Sequence, residues 1–158
     1  MKRTLLSLLL LLTLTSAYAQ LPKVYDEQID PMAQIDSAIE KAKSTDRFVI
    51  CQVGGNWCSW CLKFADFIKN DTTISKVIED NFVYIHVNYP RQGASQQLSQ
   101  RILGAGRFGY PVFVVMDTEG KVIHIQDSSY LEEDKGYNKD KVLRFFQGWT
   151  PKAVKQVP

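Results

Sequence analysis

Two hydrophobic periods alternate along the chain. In residues 32–43 the apolar positions Met32, Ile35, Ala38, Ile39 and Ala42 recur at helical spacing, with Glu40 and Lys41 between them. This predicts an amphipathic helix opening at Pro31, whose fixed φ and missing N–H suit a first turn. Residues 47–53, Arg-Phe-Val-Ile-Cys-Gln-Val, form a short β-branched run ending at Gly54-Gly55, as expected of a buried strand. Leu62, Phe64, Ala65, Phe67 and Ile68 then suit a helix starting at or just before Cys58, which Asn70-Asp71 ends or kinks. Ile74, Val77 and Ile78 predict a further helix, and residues 82–87 a second strand.

Residues 88–95 read as loop and residues 96–103 as a short polar helix, while Gly104, Gly106 and Gly109 mark a flexible, irregular stretch. Residues 111–116 and 121–126 are two apolar runs flanking Asp117-Thr118-Glu119-Gly120, an antiparallel hairpin. A polar loop over residues 127–135 leads to a last helix at 139–149, offering Val142, Leu143, Phe145, Phe146 and Trp149 for burial, with Pro151 as its stop. Strands alternating with helices imply a parallel pair with a crossover, and the hairpin adds antiparallel strands. The expected class is α/β, with a central mixed sheet flanked by helices and a C-terminal β-hairpin and helix.

The two ends change the picture. Met1-Lys2-Arg3, the apolar run of residues 5–14 and Ser16-Ala17-Tyr18-Ala19 have the layout of a signal peptide cleaved after Ala19. The apolar run is about half of what a spanning helix needs, and Gln20 stands where a lipid anchor would need cysteine. The expected organisation is a cleaved signal peptide at 1–19, an extended lead-in at 20–31, one domain at 32–150 and a tail at 151–158. Loss of Lys2 and Arg3 brings the 19 basic residues level with the 17 acidic ones. That balance argues against nucleic acid as a partner and against stable association with an anionic membrane after cleavage. Export to the periplasm or beyond places the chain where disulfides persist.

Of the three cysteines, Cys58 and Cys61 sit three apart at a helix start. That spacing puts them on one face within disulfide reach. Cys58 also meets the positive end of the helix dipole and its unpaired N–H groups, which favour a thiolate. Cys58 is thus the expected nucleophile, and Cys61, one turn deeper, the resolving thiol. A structural staple and a zinc half-site compete with this reading. A two-residue gap constrains the unfolded chain little, and only Cys51, His86 and His124 remain as further zinc ligands. Cys51, in an apolar run, reads as a small buried hydrophobe, and each histidine as a structural strand residue.

The run Val53-Gly54-Gly55-Asn56-Trp57-Cys58-Ser59-Trp60-Cys61, after a strand and opening a helix, resembles the Trp-Cys-x-x-Cys active site of the thioredoxin superfamily. Gly109-Tyr110-Pro111 resembles that family's cis-proline loop, and the element order matches from about Met32 to Trp149. Within the superfamily the chain resembles small exported thioredoxin-like proteins of Gram-negative bacteria. The resemblance implies a thioredoxin fold and a monomeric thiol-disulfide oxidoreductase without cofactor or metal. It would act on protein thiols and disulfides together with a redox partner protein, with reductase or isomerase favoured over oxidase and the direction of electron flow open. It also implies that Tyr110 and Pro111 present backbone to an extended substrate, and that Trp57 shields the disulfide.

Ser59 and Trp60 replace the family's intervening proline, so the reduction potential does not carry over. Trp60 offers either an apolar substrate contact or packing against a neighbouring loop. Where thioredoxins bury an acid on the preceding strand, this chain has Gln52, and an amide is no general base. The alternative from another class is a non-catalytic binding module of the same fold, holding a partner or a soft metal such as Cu(I).

Overall fold

The computed structural model describes residues 20–155; the signal-peptide expectation and residues 156–158 lie outside them. Asp30 caps the first helix, α1 (Pro31–Thr45), by accepting from Met32 N–H, and Asp46 ends it in the left-handed conformation. Strand β1 (Phe48–Gly54) is buried along its whole length. Helix α2 (Ser59–Asn70) follows with Cys58 as its N-cap. Asp71 both ends α2 and caps α3 (Thr72–Asn81), its carboxylate accepting from Thr73 and Ile74 N–H. The short side chain of Asp71 satisfies amides that a continuous helix would have bonded internally, so the chain turns there instead of running on.

Strand β2 (Phe82–Asn88), helix α4 (Gln96–Arg101), strand β3 (Val112–Met116) and strand β4 (Val122–Asp127) complete the sheet and its connections. The strand order is β2-β1-β3-β4, with β1 and β2 parallel and the other two pairings antiparallel. The crossover through α2 and α3 is what a parallel pair requires.

Both faces of the sheet are covered. Val49, Cys51 and Val53 of β1 pack with Ile35, Ala38 and Ala42 of α1 and with Leu98 and Ile102 at α4. Their alternates Phe48 and Ile50 pack on the other side with Phe64 and Ile68 of α2, Ile74 of α3, and Val142, Phe145 and Phe146 of helix α5 (Lys139–Gly148). The period-two side-chain alternation of a strand thus divides one continuous apolar run between two cores.

Three expectations are corrected. The glycine-marked stretch is not irregular, because residues 105–108 form a 3-10 turn around the fully buried Ala105. Residues 127–135 do not stay a loop: a 3-10 turn at residues 128–131 leads into a small hairpin, β5 (Glu132–Glu133) with β6 (Gly136–Tyr137). Helix α5 ends at Gly148, ahead of Pro151 as expected, but the tail that follows carries a further helix: Pro151 is buried and opens α6 (Pro151–Lys155), since proline blocks a helix interior but suits a first turn.

Phe146 is fully buried and its ring packs against Phe64, Phe82, Tyr84 and Phe145. Phe146→Ala is expected to cost about 3–5 kcal/mol through lost burial and the cavity left behind, read as a lower urea midpoint.

Candidate active site

After β1 the backbone leaves the sheet through a turn in which Cys58 N–H donates to Gly55 O at 3.0 Å. Cys58 then adopts the extended conformation of a helix cap, and Cys61 N–H donates to its sulfur at 3.2 Å. Cys58 and Cys61 are joined as a disulfide with Cα atoms 5.2 Å apart. Cys61 is fully buried while Cys58 keeps 7% exposure, so Cys58 is the sulfur that faces outward. Two glycines let the chain pass this close. A Cβ on Gly54 would strike Cys61 Sγ and lie 2.9 Å from the Tyr25 hydroxyl, and a Cβ on Gly55 would strike the Trp57 indole.

The second wall comes from far along the chain. The Tyr110–Pro111 peptide is cis, and Tyr110 O lies 3.6 Å from Cys58 Sγ. Pro111 is buried at the head of β3. Trp57 is 40% exposed, donates from Nε1 to Tyr89 O at 3.0 Å, and meets the Tyr110 ring edge-on at 5.4 Å. Burial first, then neighbouring Tyr89, pushes the Tyr110 phenol up to about 12. Ser59 is exposed at the first position of α2.

Trp60 is half-buried. Its ring meets Tyr137 edge-on at 5.5 Å beneath Lys63 Nζ, 4.6 Å from the ring centre, and its carbonyl accepts from the Tyr137 hydroxyl at 3.1 Å. The β5–β6 hairpin supplies that packing partner.

The lead-in is part of the site. Asn56 Oδ1 accepts from both Val24 and Tyr25 N–H at 3.1 Å, and its Nδ2 donates to Tyr25 O at 2.8 Å. One amide thereby fastens the lead-in as a neighbouring strand would, leaving Tyr25 only 4% exposed in a cluster with Cys58, Cys61 and Leu62. Gln52, fully buried, donates from Nε2 to the Tyr25 hydroxyl at 2.7 Å and to Cys61 O at 3.0 Å, and accepts from the Tyr84 hydroxyl at 2.6 Å. Among the described residues no Asp or Glu is buried.

Tyr25, Asn56, Tyr84 and Tyr137 escape a reading of the sequence. Their partners lie 27 or more residues away along the chain.

His86 stands opposite Gln52 in the sheet, its ring 5.4 Å from that of Tyr25 and its buried Nε2 without a hydrogen-bond partner. Burial holds it down to about 4. Cys51 points to the other face, unpaired, its thiol pushed up to about 12 by burial. His124 stacks on Trp149 at 4.1 Å. Among the described residues no group of three or more His, Cys, Asp or Glu side chains is placed to hold a metal ion, and no helix is long and apolar enough to cross a membrane.

The Thioredox_DsbH family model, described as a protein of unknown function, DUF255, matches residues 10–150. Among solved structures, the disulphide isomerase from Xylella fastidiosa Temecula1 superposes with a TM-score of 0.68 at 24% identity, covering 78% of this chain and 93% of its own. A thioredoxin-fold protein from Helicobacter pylori superposes with a TM-score of 0.53 at 18% identity, covering 81% and 86%. The likeness establishes the thioredoxin fold. The comparison with curated proteins returned no match.

Gly54→Ala is expected to lose about 1–3 kcal/mol by overpacking and to leave more free thiol at a fixed glutathione ratio, read by urea unfolding and thiol titration. For His86, the folded state resists protonation that the unfolded chain accepts from about pH 6.5 downward. Stability is therefore expected to fall as pH drops from about 6.5 to about 4, and His86→Phe should flatten that fall in a series of thermal melts.

Proposed function

We propose, from the premise that this chain belongs to the Thioredox_DsbH family of the thioredoxin superfamily, that it is an exported thiol-disulfide oxidoreductase acting on protein substrates. One observation carries the reading: a Cys58–Cys61 disulfide at the first turn of α2, with one sulfur outward and 3.6 Å from the carbonyl of Tyr110.

In the reduced protein the Cys58 thiolate attacks a substrate disulfide. One sulfur–sulfur bond breaks, a mixed disulfide forms, and the first substrate thiolate leaves to be protonated. Cys61 then attacks Cys58 Sγ, releasing the second substrate thiolate and closing the Cys58–Cys61 disulfide. Two electrons pass to the substrate and must be restored by a redox partner protein. If a second substrate thiol attacks first, the same mixed disulfide yields isomerisation.

The helix start supports Cys58 as nucleophile, because the Cys61 N–H and the helix dipole stabilise negative charge on its sulfur. Trp57, Ser59 and Tyr110 form the proposed substrate-facing surface, backed by the buried Pro111. Trp60, anchored on Tyr137, joins it through whatever ring area that packing leaves free. A monomer in the periplasm, reductase or isomerase rather than oxidase, is the reading that the signal-peptide pattern and the family support.

The test is insulin reduction with dithiothreitol. The wild type should precipitate insulin B chain, and Cys58→Ser should reduce the catalysed rate at least about a hundredfold, toward the background of dithiothreitol alone. Equal rates for wild type and variant, with Cu(I) retained in a one-to-one complex, would replace this reading by the soft-metal module.

A further inference from the structure

The proposed exchange leaves one task unassigned. Before Cys61 can attack Cys58 it must lose a proton, in a pocket where the buried polar residue is the amide of Gln52, which can neither take that proton nor balance the charge left behind.

The groups around Cys61 come from five segments. Tyr25 belongs to the lead-in, Gln52 to β1, Tyr84 and His86 to β2, Tyr110 to the loop before β3, and Cys58 to the start of α2. Gln52 Nε2 donates to the Tyr25 hydroxyl oxygen at 2.7 Å, so the phenol hydrogen is turned away from the amide and is free for another acceptor. The same donation polarises the O–H and makes it a stronger donor. The Tyr25 hydroxyl and Cys61 Sγ flank one small gap, the space that a Cβ on Gly54 would need. Tyr84 fixes the orientation of Gln52 by donating to Oε1 at 2.6 Å, which commits Nε2 to Tyr25 and Cys61 O. His86 is held neutral by burial, and burial keeps the Tyr25 phenol well above its ordinary range. Tyr25 therefore enters the reaction as an intact O–H.

We infer that, once the disulfide is reduced, the Tyr25 hydroxyl donates a hydrogen bond to Cys61 Sγ and stabilises it as the thiolate that attacks the mixed disulfide, with Gln52 and Tyr84 positioning that hydroxyl. Tyr25 keeps its own proton throughout. The Cys61 proton ends on the departing substrate thiolate, the Cys58–substrate bond breaks and the Cys58–Cys61 bond forms. The inference rests on the oxidoreductase reading for its consequence in turnover, but the hydrogen bond itself is measurable without it.

The experiment follows the 13Cβ resonance of Cys61 against pH in the reduced full-length protein, for wild type, Tyr25→Phe and Tyr84→Phe, alongside insulin reduction by the same preparations. Tyr25→Phe keeps the ring packed against His86 and removes only the donor. Its Cys61 midpoint should rise by about one pH unit, a tenfold loss of thiolate at a given pH below the midpoint, and its mixed disulfide with a substrate peptide should persist about tenfold longer. The rate at which Cys58 first attacks should not change. Tyr84→Phe should raise the midpoint by a smaller amount in the same direction, and it serves as the reporter if Tyr25→Phe loses its folded spectrum. Midpoints equal to wild type within about 0.2 units, or lowered, in the folded variants would overturn the inference. Wild-type protein that shows the shift series but reduces no insulin would instead overturn the proposed function and leave the hydrogen bond standing.

Discussion

A carboxamide withdrawn from water must find partners for both its donors and its acceptor, at a cost of ~1–3 kcal/mol for each group left unmet. At Gln52 the partners come from three separate places: the Tyr25 hydroxyl, the Tyr84 hydroxyl and the carbonyl of Cys61. Satisfying this one side chain ties the lead-in to β1, β1 to β2 across the parallel pair, and the sheet to the first turn of α2. A buried polar group of this kind is informative because few conformations satisfy it completely. The position of the inner sulfur follows from that set of bonds.

The outer sulfur is governed by different constraints. Cys58 caps α2 and receives a backbone N–H, while Gly55 leaves room for the neighbouring Trp57 indole. Asn56 works in the opposite direction, using its side chain to pin the lead-in where an ordinary turn residue would face solvent. The two sulfurs thus occupy unlike surroundings one helical turn apart, one near backbone donors and the surface, the other above a neutral amide and the two phenols bonded to it. Such asymmetry supports the proposed division of attack and resolution between them.

Much of this was legible beforehand, element by element. The β-branched run into Gly54-Gly55 marked β1, the cysteine spacing marked the start of α2, and Asp117-x-x-Gly120 marked the hairpin of β3 and β4, because each signal is carried by neighbouring residues. Misreadings fell where local chemistry is ambiguous. Proline reads equally as a stop and as a first helical residue, and Pro151 is both, following the end of α5 and opening α6. The glycines around Ala105 suggested an irregular stretch, but residues 105–108 form a 3-10 turn with Ala105 buried. A polar stretch read as loop around Asp127 hid a two-residue hairpin too short to leave a period.

By itself the sequence determined the class of fold, the order of its elements and the cysteine pair at a helix start, since periodicity and i,i+3 geometry are properties of contiguous chain. Only the tertiary structure decided what surrounds that pair. Tyr25 and Tyr84 lie 27 and 32 positions from Gln52, and no local rule relates the three. The sheet register that sets Gln52 beside His86, and the need of one buried amide for partners, bring them to a single pocket.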